Sequence, residues 1–167
     1  MATGGDNGVN RYVNVLGCTF SGMKDAMCDC HAETDFVNFS NNISNFVEDN
    51  GTDDGVLIGG GNAIVSNNII DRPHRHGILI QNNILNSAVD KDVAYVVTGN
   101  LIKDVGTSSG ITVNSLAAAN RPIRGVTISG NTVTGSSDNG INIKASGAGI
   151  RDCLLYTSDA ADDGLSV

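Results

Sequence analysis

The chain has no tryptophan, and only 4% of its 167 residues are aromatic. A compact globule of this length normally fills its centre with some large rings. The core here must instead be built from thin layers of Ile, Val and Leu. No apolar run approaches the length of a membrane span, and the first residues carry no signal-like apolar stretch. Positive charge is scarce: ten Lys and Arg against 18 Asp and Glu give a net charge of -8. That excludes a broad basic field for nucleic acid or an anionic membrane surface, while leaving room for a local basic pocket. The four cysteines are irregularly spaced and define neither a disulfide framework nor a zinc site. Cys28 and Cys30 are too close for a C-x-x-C motif, and Cys18, Cys28 and Cys30 read most simply as small core residues.

What is abundant is glycine, 21 residues in all, together with asparagine. They recur within two alternating phrases. The first is an apolar/polar strand ending in an Asn-containing turn: Val37-Asn-Phe-Ser-Asn-Asn-Ile43, Ile64-Val-Ser-Asn-Asn-Ile69, Tyr95-Val-Val-Thr-Gly-Asn-Leu101 and Val126-Thr-Ile-Ser-Gly-Asn-Thr-Val133. Val13-Asn-Val-Leu-Gly-Cys-Thr-Phe20 is a degenerate first copy. The second phrase is Gly followed by a short strand: Gly55-Val-Leu-Ile58, Gly77-Ile-Leu-Ile80, Gly110-Ile-Thr-Val113 and Gly140-Ile-Asn-Ile143, with Ala26-Met-Cys28 in that place in the first copy.

These phrases predict an all-β, right-handed parallel β-helix, a solenoid of about five coils. One coil cannot bury its inner face alone, whereas stacked coils share a continuous core and pair each strand with the next. Asn at a fixed corner (Asn42, Asn68, Asn100 and Asn131) is expected to bond backbone groups of its own turn and of the neighbouring coil. Gly before each second strand is expected to permit a backbone bend. A β-sandwich would show tight hairpin signals between adjacent strands, but Asn50-Gly51 and Asn139-Gly140 fall inside longer loops. A leucine-rich repeat would need a Leu ladder. The pattern resembles the parallel β-helix repeats of the pectate-lyase-like superfamily over residues 12–150.

Three segments carry candidate chemistry. In Asp29-Cys-His31-Ala-Glu33-Thr34, inward-facing Cys28 and Cys30 would turn Asp29 and His31 outward, about 7 Å apart. An imidazole can act as acid or base near neutral pH, and a nearby carboxylate can orient it. The bland alternative is a pair of solvated polar side chains. Asp71-Arg72-Pro-His74-Arg75-His76 is the densest basic segment and leads into Gly77, two coils or roughly 10 Å from His31. There an arginine can grip a uronate carboxylate through two hydrogen bonds, with a solvated basic turn as the alternative. Glu48-Asp49-Asn50-Gly51-Thr52-Asp53-Asp54 offers carboxylates to calcium but matches no EF-hand loop, and a solvated acidic turn explains it better. Asp53 and Asp54 precede Gly55 as Arg75 and His76 precede Gly77. If those columns align, a surface ion pair joins neighbouring coils.

The first two segments together resemble the catalytic module of mannuronan C5-epimerases and related alginate lyases. Asp29, His31 and Thr34 match an acid-x-His signature, and Arg75, His76 and Gly77 match a later Arg-His-Gly. The resemblance implies that His31 handles the C5 proton, with Asp29 beside it, and that Arg75 neutralises the substrate carboxylate. Around them, His76, His74, Arg72 and Asp54 would bind substrate. Cys30 and Ala32 depart from the family's Pro and Glu, its catalytic Tyr would fall at Ala26, and a further Asp falls near Gly59. No metal or other cofactor is implied beyond a candidate calcium.

Residues 153–167 begin Cys153-Leu-Leu-Tyr-Thr-Ser-Asp-Ala-Ala-Asp162, which resembles the translation of a transposase-library sequencing adapter. The expected organisation is therefore a lead-in over 1–11, the solenoid over 12–152, and a non-native tail over 153–167 that makes the chain a truncated fragment. Two functions follow. One is an enzyme on an acidic polysaccharide, a lyase or C5-epimerase working by proton abstraction next to a carboxylate. The other is a non-catalytic glycan-binding or structural module, such as part of a homotrimeric phage tailspike or surface protein. A glycosidase would need two carboxylates at a defined separation, for which Asp29 with Asp53 or Asp54 are the candidates. Either function places the chain outside the cell or on a virion surface, with polysaccharide as partner and neither nucleic acid nor membrane.

Overall fold

The computed structural model describes residues 2–3, 12–23, 25–30, 34, 36–45, 54–81, 93–115, 123–145 and 149–156. After β1 (Ala2–Thr3) the strands come in triplets. The first is β2 (Val13–Leu16), β3 (Thr19–Ser21) and β4 (Cys28–Cys30). The second is β5 (Phe36–Ser40), β6 (Ile43–Asn45) and β7 (Val56–Ile58), and the third is β8 (Asn62–Ser66), β9 (Ile69–Asp71) and β10 (Ile78–Gln81). Next come β11 (Tyr95–Thr98), β12 (Leu101–Lys103) and β13 (Ile111–Ser115), then β14 (Ile123–Ser129), β15 (Thr132–Thr134) and β16 (Ile141–Ala145), and finally β17 (Ile150–Tyr156).

Each strand pairs in parallel with its counterpart one coil away, giving three sheets: β1-β4-β7-β10-β13-β16, β2-β5-β8-β11-β14-β17 and β3-β6-β9-β12-β15. The protein is thus an all-β parallel solenoid, as its repeats predict. From β2 to β14 it climbs four coil-to-coil steps, about four full turns. The Asn-turn phrase proves to be two strands rather than one, because the turn bends the chain from the second sheet into the third.

Alternation places one column of apolar side chains after another inside. Val37, Ala63, Tyr95 and Val126 stack along the second sheet, and Cys28, Val56, Ile78 and Ile111 along the first. All are buried, and each fully buried Val or Ile contributes about 1.5–3 kcal/mol. Ile143 and Leu155 occupy inward columns of the last coil yet stay 41% and 45% exposed, since no described coil follows them. β17 pairs with β14 in register through Ser129 and Tyr156, so the sheet extends over residues 153–156; residues 157–167 lie outside the described residues.

The asparagine corner forms a ladder. The Asn42, Asn68 and Asn100 N–H groups each donate to the Oδ1 of the next asparagine, Asn68, Asn100 and Asn131, at 2.9, 3.0 and 3.0 Å. Each Nδ2 donates to the same Oδ1 and to a carbonyl one coil back: Val15 for Asn42, Phe39 for Asn68, Val65 for Asn100. Immediately before them Asn41 and Asn67 take positive φ of 59° and 54°, a conformation asparagine tolerates better than most side chains. Cys18 fills this ladder position in the first coil and is exposed there, not a core residue as its size suggested. The glycine column also has a different cause from the expected bend. Gly55, Gly77 and Gly110 have no positive φ, but a Cβ on Gly55 would stand 2.5 Å from the Gly77 carbonyl oxygen and 2.8 Å from Ile70. Only hydrogen fits where the backbone passes over the inward Ile.

Candidate functional site

The corner leading into the first sheet is where polar side chains meet across coils. Residues immediately before the glycine column align as Asp54, His76, Ser109 and Asn139, since Gly55, Gly77, Gly110 and Gly140 are stacked by backbone bonds. One residue earlier, Arg75, Ser108 and Asp138 form a parallel column. The columns therefore align as expected, but the ion pair they make reaches the surface only on its basic side. Asp54 is 1% exposed.

Three groups surround that buried carboxylate. Arg75 donates twice, Nε to Oδ1 at 2.9 Å and Nη2 to Oδ2 at 2.5 Å. The backbone N–H of His76 donates to Oδ1 at 3.2 Å, and the His76 Nδ1 lies 2.7 Å from the same oxygen. Burial alone pushes the Asp54 carboxyl up, because the charge loses water. The hydrogen bonds and positive charge of Arg75 and His76 outweigh it and hold the group below its ordinary value. The pair in turn is pinned: the Arg75 guanidinium keeps 41% of its surface exposed, and the His76 ring 14%. Nδ1 faces Asp54, so Nε2 is the imidazole nitrogen turned away from it.

A depressed carboxyl gives a defined pH dependence. The stabilisation by Asp54 is fully present above the unfolded-state value of about 3.9 and is lost as pH falls through the lower folded value. Asp54→Asn should cost about 2 kcal/mol at neutral pH, the size of a hydrogen bond to a charged group. Urea unfolding at a series of pH values should show the gap between wild type and variant constant above about pH 4 and shrinking below it. A gap independent of pH down to acid unfolding would mean that the Asp54 charge contributes nothing.

The column also spells Asp54, His76, Ser109 on successive coils, the residue types of a nucleophilic triad. The geometry opposes that chemistry. Ser109 is fully buried, its hydroxyl donates to Asp138 Oδ2 at 3.1 Å, and it receives the Asn139 N–H at 3.4 Å. What the corner does offer is an oriented imidazole beside an exposed guanidinium, a combination suited to proton transfer next to an anion.

The other sequence-predicted residues fall elsewhere. Asp29 faces outward on β4, in register with Leu57, Leu79, Thr112 and Asn142. Leu79 and Thr112 are buried, so that face of the sheet is covered over two coils. His31 lies outside the described residues, as do Glu48, Asp49, Asn50 and Asp53 of the calcium candidate. Asp54 commits its oxygens to Arg75 and His76, and no metal-holding group of three His, Cys, Asp or Glu exists among the described residues. Arg75 is four register positions before Leu79, so it stands at the corner and not on the face that Asp29 begins. Arg72 is exposed, donates through Nη2 to Asn45 Oδ1, and holds a positive φ of 55°, a strained conformation for a long side chain. His74 is half-buried; its carbonyl accepts the Thr107 N–H at 2.8 Å, while the Pro73 carbonyl accepts the Gly106 N–H at 2.9 Å.

Those bonds stack the next corner onto the basic segment, and the Asp138 N–H donating to the Ser108 carbonyl stacks the one after it. They bring in Thr107, Ser108, Ser137 and Asp138, which sequence reasoning passed over. The signal was present, because Ser108-Ser109-Gly110 and Asp138-Asn139-Gly140 hold the same offset from their glycines as Arg75-His76-Gly77. A scan against protein-family models finds no match, and searches of curated proteins and of solved structures find none either.

Proposed function

We propose that this solenoid acts on an acidic polysaccharide as a lyase, removing the proton next to a uronate carboxylate at the corner formed by Asp54, Arg75 and His76. The observation that carries this reading is the buried Asp54 carboxylate holding both a guanidinium and an imidazole at hydrogen-bond distance. Arg75 lies against the uronate carboxylate and stabilises the negative charge that builds there as the C5 proton leaves. His76 takes that proton on Nε2 while its Nδ1–H keeps donating to the Asp54 carboxylate, which fixes the ring and balances the imidazolium. The electron pair then expels the 4-O-linked sugar, and His76 returns the proton to the departing oxygen. The bond broken is C4–O4 and the bond formed is the C4=C5 double bond. Asp54 is a positioning residue.

This keeps the substrate class implied by the resemblance to mannuronan C5-epimerases and alginate lyases of the pectate-lyase-like superfamily, and moves proton transfer from His31 to His76. A single proton-handling group favours elimination over epimerisation, which needs a donor on the opposite face of the ring. The one described tyrosine near these coils, Tyr95, is fully buried in the core, where loss of water pushes its hydroxyl up. Such a lyase would work outside the cell or on a virion.

Wild type incubated with uronate polymers should release products with the ultraviolet absorbance of the new double bond. Arg75→Ala and His76→Gln should each lose turnover by roughly 100-fold or more, in line with loss of a general acid–base or charge-stabilising group. Thermal melts in parallel separate this from unfolding. Full activity in either folded variant removes its role. The non-catalytic reading draws on a specific fact, that Asp54 already balances the Arg75 charge and ties two coils together. A glycan-binding homotrimer with no double-bond product from any uronate polymer would establish it instead.

A further inference from the structure

The Arg75 column continues up the stack, and its chemistry changes from coil to coil. In register above Arg75 lie Ser108 and then Asp138, joined by the Asp138 N–H donating to the Ser108 carbonyl at 3.3 Å. Beside them Thr107 stacks on His74, its N–H and hydroxyl both reaching the His74 carbonyl, and the Ser137 hydroxyl reaches the Ser108 carbonyl. Thr107, Ser137 and Asp138 are exposed and Ser108 half-exposed, so these corners form one accessible strip. At about 4.8 Å per coil, Asp138 is two steps, roughly 10 Å, from Arg75. Asp138 stays in place because its Oδ2 accepts the Ser109 hydroxyl.

Resting on the proposed function, we infer that the strip selects a mixed polymer, in which a uronate at Arg75 is followed by neutral sugar toward Asp138, and discriminates against a homopolyuronate. A polysaccharide running along the stack meets one positive group, then hydroxyls on Thr107 and Ser108, then the Ser137 hydroxyl beside a fixed negative charge. The hydroxyl coil can exchange hydrogen bonds with the hydroxyls of a neutral sugar. Asp138 can accept from such a sugar, whereas a second carboxylate brought against it is repelled. Two like charges a few ångströms apart at an exposed site cost about 1 kcal/mol, or roughly fivefold in affinity.

The test is binding by titration calorimetry of wild type and Asp138→Asn to a homopolyuronate and to an alternating uronate–neutral hexose polymer, at low and high salt. Asp138→Asn keeps an acceptor for Ser109, and a thermal melt confirms its fold. Wild type should prefer the alternating polymer by roughly fivefold. Asp138→Asn should remove the preference by tightening homopolyuronate binding alone, and added salt should shrink the preference in wild type only. Equal wild-type binding of both polymers, or a preference unmoved by Asp138→Asn, overturns the inference while leaving the proposed function standing. Failure of wild type to bind either polymer overturns the proposed function and the selectivity with it.

Discussion

Asn68→Ala should be among the most damaging single substitutions in the solenoid, costing about 4 kcal/mol. Asn68 is 1% exposed and its side chain serves four hydrogen bonds. Its Oδ1 accepts the Asn42 N–H and Nδ2, and its Nδ2 donates to the Phe39 carbonyl and to Asn100 Oδ1. Each bond contributes about 1 kcal/mol net, and the Asn42 N–H is left without its acceptor inside the protein. For a chain of this length that corresponds to a fall in melting temperature of roughly 10 °C. Coils contact only their neighbours, so the damage should be local first. Hydrogen exchange should accelerate at Asn42 and Cys18 before it does at Asn131. Asn68→Asp separates hydrogen bonding from shape: it keeps an acceptor for Asn42 but loses the donors to Phe39 and sets a carboxylate against Asn100 Oδ1. It should therefore be less stable at neutral pH than under mildly acidic conditions, where one proton restores a donor. A melt unchanged by Asn68→Ala would show that the ladder is ornamental.

The second large effect lies on the opposite corner and distinguishes two glycines of one column. A Cβ added at Gly77 would stand 2.5 Å from Ile102 Cγ2 and 2.6 Å from the Gly110 carbonyl oxygen. The Ile side chain has some freedom, but the carbonyl accepts the Ile78 N–H of the inter-coil backbone network and cannot retreat without breaking it. Gly77→Ala should cost about 3 kcal/mol, the upper part of the usual range for overpacking. At Gly140 nothing lies within 4 Å of the same position, and φ is not positive. Gly140→Ala should be neutral or stabilising by about 0.5 kcal/mol, through the reduced freedom of the unfolded chain. Denaturant titrations of the two variants side by side decide the matter. Equal effects would mean that a backbone bend, and not close packing, explains the column.

The fold was legible because its repeats act through local rules. Alternation in Tyr95-Val-Val-Thr98 declares which side chains point inward, and an asparagine at each turn declares the ladder. The third sheet was harder to see, since strands such as β6 and β15 span three residues and carry only one inward side chain each. The site was half legible. Arg75, His76 and Asp54 stood out by charge and by their common offset from glycine. Their burial and partnership did not, because coil length varies: Asp54 and His76 are 22 residues apart, while Asn68 and Asn100 are 32 apart. No fixed period therefore reveals which polar groups touch. Asp29 was read as turned outward because alternation gives the direction of a side chain, not what covers the face it reaches. Asp138 was overlooked because one exposed carboxylate among 18 acidic residues carries no signal until the register sets it above Arg75.

Proton exchange at uronate C5 is the most direct measurement of the chemistry assigned to this corner. A uronate polymer incubated with wild type in deuterated water, then examined by nuclear magnetic resonance, should show unsaturated ends, with any remaining polymer at the bound positions exchanging hydrogen for deuterium at C5. His76→Gln, with an unchanged melt and unchanged binding, should show neither. Binding by wild type without C5 exchange or unsaturation, or equal exchange in His76→Gln, would contradict proton transfer by His76.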